Sequence, residues 1–208
     1  MTGPLVAVLD YGIGNLSSAQ KALVRSGADA RLTRDAGLVA DADGVVLPGV
    51  GAFGACMDAL RDAGLEQVVH SAVGSGRPFL GICVGMQMLF DASDEDPSHT
   101  GLGVIPGRVV AIPDTVRKPQ MQWNELRVRT ADPIFAGLPA VPWVYFVHSY
   151  AARPADPSVV VATCDYGADL TAVVRRGNVV ATQFHPEKSA TDGLAILANF
   201  VASCGGGS

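Results

Sequence analysis

The stretch Arg77-Pro-Phe-Leu-Gly-Ile-Cys-Val-Gly-Met-Gln-Met-Leu-Phe90 joins a short apolar run to a segment with helical spacing. The run up to Ile82 predicts a β-strand buried on both faces, and the residues after Gly85 predict a helix. The predicted apolar face of this helix consists of Met86, Leu89 and Phe90. Between strand and helix, Gly81-Ile-Cys-Val-Gly85 has the form of a nucleophile elbow, in which glycines flank the nucleophile because the tight turn leaves no room for a Cβ. A thiol at a helix N-terminus is readily ionised, so Cys83 is the candidate nucleophile.

The same alternation of strand and helix extends toward the N-terminus. The predicted strands are Leu5–Leu9, Ala30–Thr33 and Gly44–Leu47. The predicted helical segments are one carrying Leu16, Ala19, Leu23 and Val24, with Gly27 as its stop, and a return made of Cys56–Leu60 and Leu65–Val73. Strands that alternate with helices predict an α/β fold with a mostly parallel sheet.

Beyond about residue 104 the pattern changes to apolar runs separated by Pro and Gly turns, which predicts added antiparallel strands. The predicted strands are Gly107–Ile112, Trp143–Val147, Val159–Ala162 and a hairpin around Arg176-Gly-Asn178. A final amphipathic helix is predicted over Thr191–Ala202, with Thr191 as its N-cap. We expect one domain over residues 1–204 and a flexible tail over residues 205–208.

The composition is that of a folded and mildly acidic protein. The 208 residues are 49% hydrophobic and 17% charged, with a formal net charge of −5. These values exclude a disordered chain, and the acidic balance gives no attraction to nucleic acid or to an anionic membrane. No signal sequence is apparent and no apolar run is long enough to span a bilayer, so we expect a cytoplasmic protein.

The cysteines are widely spaced and form neither a CxxC pair nor a cluster with histidine. They are Cys56, Cys83, Cys164 and Cys204. This spacing predicts free thiols in a reducing compartment, and we expect neither a metal nor an organic cofactor. For all of them except Cys83, an ordinary place in the core is the favoured interpretation. A packed core cysteine remains the alternative for Cys83 as well.

A thiol nucleophile needs a base, and Phe184-His-Pro-Glu187 follows the second strand of the predicted hairpin. In an extended segment residues i and i+2 point the same way, so Glu187 can reach one nitrogen of His185 while the other faces the thiol. The three other histidines have no carboxylate two residues away. They are His70, His99 and His148. The sequence therefore predicts a triad of Cys83, His185 and Glu187.

Acyl transfer also needs hydrogen-bond donors for the oxyanion. An elbow supplies one donor, the backbone N–H of Val84. The loop Leu47-Pro-Gly-Val-Gly51 ends the third strand and offers a second N–H from Gly49, Val50 or Gly51. Composition alone favours a simple turn here, but ligand sites of parallel sheets lie beyond the carboxyl ends of strands, which favours the functional interpretation.

Five spaced motifs resemble those of the class I (triad) glutamine amidotransferases over nearly the whole chain. They are Asp10-Tyr-Gly-Ile-Gly-Asn15, Pro48-Gly-Val-Gly-Ala-Phe53, Gly81-Ile-Cys-Val-Gly-Met-Gln87, Tyr145-Phe-Val-His-Ser-Tyr150 and Thr182-Gln-Phe-His-Pro-Glu-Lys188. The first and fourth motifs are most similar to those of the glutaminase subunits of imidazole glycerol phosphate synthases. The resemblance implies a three-layer, flavodoxin-like amidotransferase fold.

The resemblance also implies a reaction and a partner. L-Glutamine would form a thioester on Cys83, and the released ammonia would pass to a (β/α)₈ barrel cyclase subunit in a heterodimer that serves histidine biosynthesis. By motif match, Gln87 and Glu95 would hold the α-amino and carboxylate end of glutamine. His148, Ser149 and Tyr150 would complete the pocket. In the family the glutaminase is nearly silent until the cyclase holds its ligand.

The residues expected at the cyclase face are Trp123, Asn124, Tyr145 and Lys188. The family usually shows Met-Gly-Trp-Asn here, whereas this chain has Gln122 in place of that glycine. A side chain at this position can alter the loop path or the contact with the cyclase. Ordinary surface or core positions remain an equal interpretation for all four residues.

Two other classes of function remain open at this level. The first is a stand-alone γ-glutamyl hydrolase or the glutaminase of a different synthase, which would share the triad but lack the Asp-Tyr-Gly start. The second is a flavodoxin-like module whose exposed cysteine senses oxidants, which has no need of a His-x-Glu base. Dinucleotide binding through Gly12 and Gly14 is weaker, because Ser17 stands where the fingerprint requires a third glycine.

Overall fold

A computed structural model describes residues 3–206. The helices are α1 (Leu16–Arg25), α2 (Ala36–Asp41), α3 (Phe53–Asp62), α4 (Glu66–Gly74), α5 (Val84–Met88) and α6 (Ala190–Cys204). The strands of the first half are β1 (Leu5–Leu9), β2 (Asp29–Thr33), β3 (Gly44–Gly49), β4 (Phe79–Cys83) and β5 (Ala92–Ser93). Those of the second half are β6 (Gly107–Ala111), β7 (Gln120–Glu125), β8 (Arg127–Val128), β9 (Trp143–His148), β10 (Tyr150–Pro154), β11 (Val160–Asp165), β12 (Asp169–Arg176) and β13 (Val179–Thr182).

The centre of the fold is an eight-stranded sheet in the order β2-β1-β3-β4-β13-β12-β11-β8. The pairings from β2 through β13 are parallel, and β12, β11 and β8 continue the sheet antiparallel. Strands β3 and β4 are buried along their whole length, as continuous apolar runs in a covered parallel sheet require. The predicted α/β class with added antiparallel strands is confirmed.

The chain reverses direction across the sheet after β2, because β3 pairs on the opposite side of β1 from β2. Right-handed crossovers then place α1 on one face and the helices between β2 and β4 on the other. Helix α6 packs on α1, whereas α2 packs on α4 and α3 on α5. Such a reversal opens a crevice at the carboxyl ends of β1 and β3. Strand β4 ends next to β3, with Cys83 paired with Gly49.

The predicted strands and helices lack α2, β5, β7, β8 and β10. Helix α2 follows Asp35, whose side chain accepts a hydrogen bond from the N–H of Leu38 at 2.8 Å, so an N-cap signal was present in the sequence. Strand β7 pairs antiparallel with β9 to form a separate two-stranded ribbon. Residues 120–124 do alternate between polar and apolar, so a strand signal was present in the sequence. The polar Gln120 is buried, whereas Met121 is exposed.

Several predicted helix boundaries were wrong. Helix α3 begins at Phe53, three residues before the predicted start at Cys56. Helix α5 ends at Met88, because the carbonyls of residues 88–90 accept hydrogen bonds from the loop 102–105 and not from a further turn of helix. Helix α6 begins at Ala190 with Ser189 as the N-cap position, so Thr191 lies inside the first turn. The extent of the domain remains a prediction. Of the predicted tail, Gly205 and Gly206 are described, and residues 207–208 lie outside the described part of the chain.

Candidate functional site

Cys83 lies where β4 passes into α5, with backbone angles of φ 55° and ψ −112°. A non-glycine residue rarely adopts such angles, and the strain presents its side chain at the end of the sheet. A Cβ on Gly85 would lie 1.9 Å from the carbonyl oxygen of Leu47, and one on Gly81 would meet three neighbours at 3.1 Å. The flanking glycines therefore serve the close packing that the elbow pattern predicted.

His185 and Glu187 lie beyond the end of β13, close to the elbow. The Nδ1 atom of His185 is 2.8 Å from Oε1 of Glu187, and both side chains are almost wholly buried. The prediction of an extended segment was right for His185 but wrong for Glu187, because residues 186–188 form a 3₁₀ turn. This turn still brings the carboxylate to the imidazole, since it folds residue 187 back toward residue 185.

The turn that carries His185 is anchored to β9. The backbone N–H of His185 donates to the carbonyl of Tyr145 at 3.1 Å. The buried hydroxyl of Ser189 donates to the carbonyl of His185 at 2.7 Å and accepts from the N–H of Tyr145 at 2.9 Å. Ser189 was not among the predicted site residues, since only the fold brings it to β9.

The charge on His185 is set by its two neighbours. Burial by itself lowers the pKa of His185, but hydrogen bonding and charge attraction from Cys83 and Glu187 outweigh it and raise the pKa to about 9. The second carboxylate oxygen of Glu187 has no hydrogen-bond partner within residues 3–206, so the imidazole is the group this carboxylate stabilises. At neutral pH the ring is therefore an imidazolium that holds a proton beside the sulfur.

The other histidines do not compete for this place. Burial lowers the pKa of His148 to about 4, with the charge of His185 acting in the same direction, and its nitrogens lie 2.8 Å from the carbonyl of Tyr150 and the amide of Gln120. Because His148 is neutral and both of its ring nitrogens have hydrogen-bond partners, it lines the site in a fixed orientation. His99 lies at the surface between two carboxylates, and His70 is exposed on α4.

The loop after β3 packs directly on the elbow. Gly49 is buried there, and a Cβ on it would lie 2.6 Å from the backbone nitrogen of Gly85. Gly51 has φ +94°, a conformation that favours glycine. The carbonyl of Val50 accepts from the thiol of Cys56 at 3.3 Å, and the hydroxyl of Tyr11 donates to the carbonyl of Pro48 at 2.6 Å. These contacts hold the loop against the turn that carries Cys83.

A cavity of about 420 Å³ opens over Cys83. Its lining includes Val50, Gly51, Cys83, Val84, Gln87, Glu95, His148, Ser149, Tyr150, His185 and Lys188. The structure thus brings the predicted substrate residues together with the elbow, the predicted base and most of the predicted oxyanion residues. The carboxylate of Glu95 also accepts from the N–H of Phe53 at 2.9 Å, at the start of α3.

Of the residues predicted for a partner face, Lys188 lines this cavity, and the other three lie on the ribbon of β7 and β9. Trp123 and Tyr145 are directly paired across the ribbon of β7 and β9, with ring centroids 6.1 Å apart in an edge-to-face arrangement. Lys188 is exposed at the cavity mouth. Asn124 donates to the carbonyl of Asp165 at 2.8 Å, and Gln122 is exposed on the ribbon.

The three cysteines other than Cys83 lie in the core. All four cysteines are free and buried. Burial raises the pKa of Cys164 and of Cys204 to about 12, so both are thiols at neutral pH. Over residues 3–206 there is no group of three or more His, Cys, Asp or Glu side chains placed to hold a metal ion. In the same residues, no helix has the length and apolar character needed to cross a membrane.

The comparisons with known proteins agree with this geometry. A family model described as "Glutamine amidotransferase class-I" matches residues 7–204. The chain belongs to the class-I glutamine amidotransferase family. A solved amidotransferase, described as "Crystal structure of glutamine amidotransferase", is 26% identical with a TM-score of 0.76, covering 96% of this chain and 98% of that one. The predicted amidotransferase fold is thereby confirmed.

Two curated relatives of this amidotransferase carry the same description, "Imidazole glycerol phosphate synthase subunit HisH". The protein from Syntrophotalea carbinolica is 51% identical over 203 residues, covering 94% of this chain and 98% of that protein. The protein from Rhodopirellula baltica is 49% identical over 201 residues, covering 96% of this chain and 98% of that protein. The similarity therefore extends over nearly the full length of both relatives.

Proposed function

We propose that this chain is the glutaminase subunit of an imidazole glycerol phosphate synthase. The observation that carries the proposal is the strained Cys83 beside the buried pair of His185 and Glu187, at the base of one cavity. The full-length similarity to proteins described as HisH subunits supports the choice of synthase. The enzyme hydrolyses L-glutamine to glutamate and ammonia.

The first half of the reaction cleaves the carboxamide. The sulfur of Cys83 attacks the amide carbon as a thiolate, and the carbonyl electrons move onto the oxygen. When the oxyanion collapses, the C–N bond breaks and the leaving nitrogen takes the proton of the His185 imidazolium. Glu187 stabilises that imidazolium until the transfer. A pKa of about 9 keeps the proton on the ring at neutral pH.

The second half returns the enzyme to its starting state. A water molecule attacks the thioester carbon and gives its proton to the now neutral His185. The C–S bond then breaks to release glutamate and the Cys83 thiolate. In both halves the oxyanion needs backbone donors, for which we assign Val84 in the elbow together with the loop residues Gly49, Val50 and Gly51.

The substrate residues are assigned by their place in the cavity. Gln87 and Glu95 offer oxygen atoms suited to the α-ammonium group of glutamine. His148, Ser149 and Tyr150 also line the cavity, and neutral His148 brings no competing positive charge near His185. The reducing cytoplasm suits a thiol enzyme whose four cysteines are all free.

The ammonia is delivered to a (β/α)₈ barrel cyclase in a heterodimer. We assign the face around the cavity mouth to this partner, with Trp123, Asn124, Tyr145 and Lys188 in the contact. On the same ribbon, Met121 and Trp143 are 61% and 47% exposed, which adds apolar area of the kind that partners cover. Since β9 holds the His185 turn through Tyr145, a partner seated there can act on the catalytic residues.

The decisive experiment measures glutamate release by the isolated chain, by the chain with a barrel cyclase, and by that complex with the cyclase ligand bound. We expect little turnover by the isolated chain, strong turnover in the liganded complex, and none with Cys83→Ala. Mass spectrometry after treatment with a diazoketone analogue of glutamine should find the label on Cys83 alone. Full turnover without a partner would favour a stand-alone glutaminase, and undiminished activity of Cys83→Ala would refute the proposal.

A further inference from the structure

Gln183 lies two residues before His185 and is completely buried beside the site. Its backbone N–H donates to the carbonyl of Ala172 at 2.8 Å, which extends the pairing of β13 with β12 by one residue. A buried primary amide carries two N–H donors and an acceptor oxygen that all need partners. The partners of this side chain are therefore informative about its role.

The side chain of Gln183 links the nucleophile to Gln87. Its Oε1 accepts from Nε2 of Gln87 at 3.1 Å, and its Nε2 donates to the Sγ of Cys83 at 3.8 Å. The same Nε2 of Gln87 donates its other hydrogen to the backbone carbonyl of Tyr150 at 3.1 Å. The result is a relay from a backbone carbonyl through two amides to the sulfur.

The backbone carbonyl of Tyr150 determines which end of each amide is the donor. A backbone carbonyl can only accept, so Gln87 turns its nitrogen toward Tyr150. Gln183 must then turn its oxygen toward that nitrogen, since two N–H groups would repel. The nitrogen of Gln183 is left facing Cys83, and a donor in this position stabilises a charged sulfur more than a neutral thiol.

We propose that Gln183 is a positioning residue that holds the Cys83 sulfur in its charged form and aims the oxygen of Gln87 into the cavity. The second effect arises because both N–H groups of Gln87 are used by Tyr150 and Gln183, so only its carbonyl oxygen can serve a ligand. A ligand donor such as an ammonium group fits that oxygen. The inference rests on the proposed glutaminase function and extends it.

The test that needs no substrate is alkylation of Cys83 by iodoacetamide as a function of pH, with the modified residue mapped by mass spectrometry. We use Gln183→Met and Gln183→Leu, two apolar side chains of similar size, in the full chain. Each should slow alkylation at pH 7 about tenfold and move the profile to higher pH, as expected for loss of one hydrogen bond to a charged group.

Thr182→Val is the matched control. The buried hydroxyl of Thr182 donates to the carbonyl of Phe184 at 3.1 Å, so this variant also loses a buried hydrogen bond, but one that does not involve the sulfur. We expect its alkylation profile to match that of the wild type. A wild-type profile in both folded Gln183 variants overturns the proposal, as does the same displacement in Thr182→Val.

Kinetics of the complex with the liganded cyclase give a second readout. Gln183→Met should lower kcat about tenfold, whereas Gln87→Met should act mainly on KM because it removes the oxygen offered to the ligand. A kcat within twofold of the wild type in both Gln183 variants also overturns the proposal. If the wild-type complex releases no glutamate, the proposed function fails, and the alkylation profiles still decide the role of Gln183 separately.

Discussion

Replacing Gly85 with alanine would place a Cβ 1.9 Å from the carbonyl oxygen of Leu47 and 2.9 Å from its carbonyl carbon. Contacts under 3.0 Å are essentially never seen for a Cβ, so α5 and β3 must separate by more than about 1 Å. Both contacting groups are backbone, and no change of rotamer can relieve the overlap. The strain falls on the elbow, whose backbone is already strained at Cys83.

We expect Gly85→Ala to lower the free energy of unfolding by about 3 kcal/mol, the upper part of the range for overpacking a well-packed core. For a chain of this length that corresponds to a fall in Tm of roughly 6–12 °C. Displacement of the Val84 N–H by about 1 Å should also lower the glutaminase rate of the complex about 100-fold at temperatures where the variant is folded. Thermal denaturation and glutamate release measure the two effects.

Gly74→Ala is the matched control. Gly74 is the last residue of α4, and a Cβ there meets no atom within 4 Å. This substitution should stabilise the chain by about 0.4–1 kcal/mol, through reduced freedom of the unfolded chain, and leave turnover unchanged. A Gly85→Ala variant as stable and as active as Gly74→Ala would refute the close packing of α5 on β3.

In an NMR pH series the ring of His185 should titrate near pH 9. Cys83→Ser and Glu187→Gln should each lower this midpoint, because each removes a negative charge that raises the pKa of His185 against the effect of burial. A wild-type midpoint near 6.5 would contradict this prediction. Because the leaving ammonia takes that proton, turnover in the complex should fall as pH rises through about 9. Asp132→Ala removes a carboxylate that is 3% exposed and paired with Arg175, so thermal denaturation should show a loss of about 2–3 kcal/mol with unchanged glutaminase rate. A loss under about 1 kcal/mol would show that this pair has little effect on stability.

The elements that the sequence predicts well are those with a strong local signal. Strands β1, β3 and β4 are continuous apolar runs, and the hairpin of β12 and β13 surrounds a turn at Gly177. The C-terminal end of α5 could not be predicted from local sequence, because a loop thirteen to sixteen residues further along donates hydrogen bonds to the carbonyls of residues 88–90. A competing hydrogen bond from a distant segment does not change the local spacing of apolar residues from which a helix is predicted.

Local sequence also predicts Cys83, His185 and Glu187 as the triad, because an elbow needs flanking glycines and a base needs a nearby carboxylate. Their arrangement around one cavity depends on the parallel pairing of β4 with β13. Residues that act through long-range contacts could be recognised only in the folded chain: Tyr11 reaches Pro48, and Gln183 reaches a sulfur 100 positions away. Motif and spacing indicate what chemistry a residue can perform. The packing of distant segments determines which groups it contacts and how deeply it is buried, and therefore whether it is protonated.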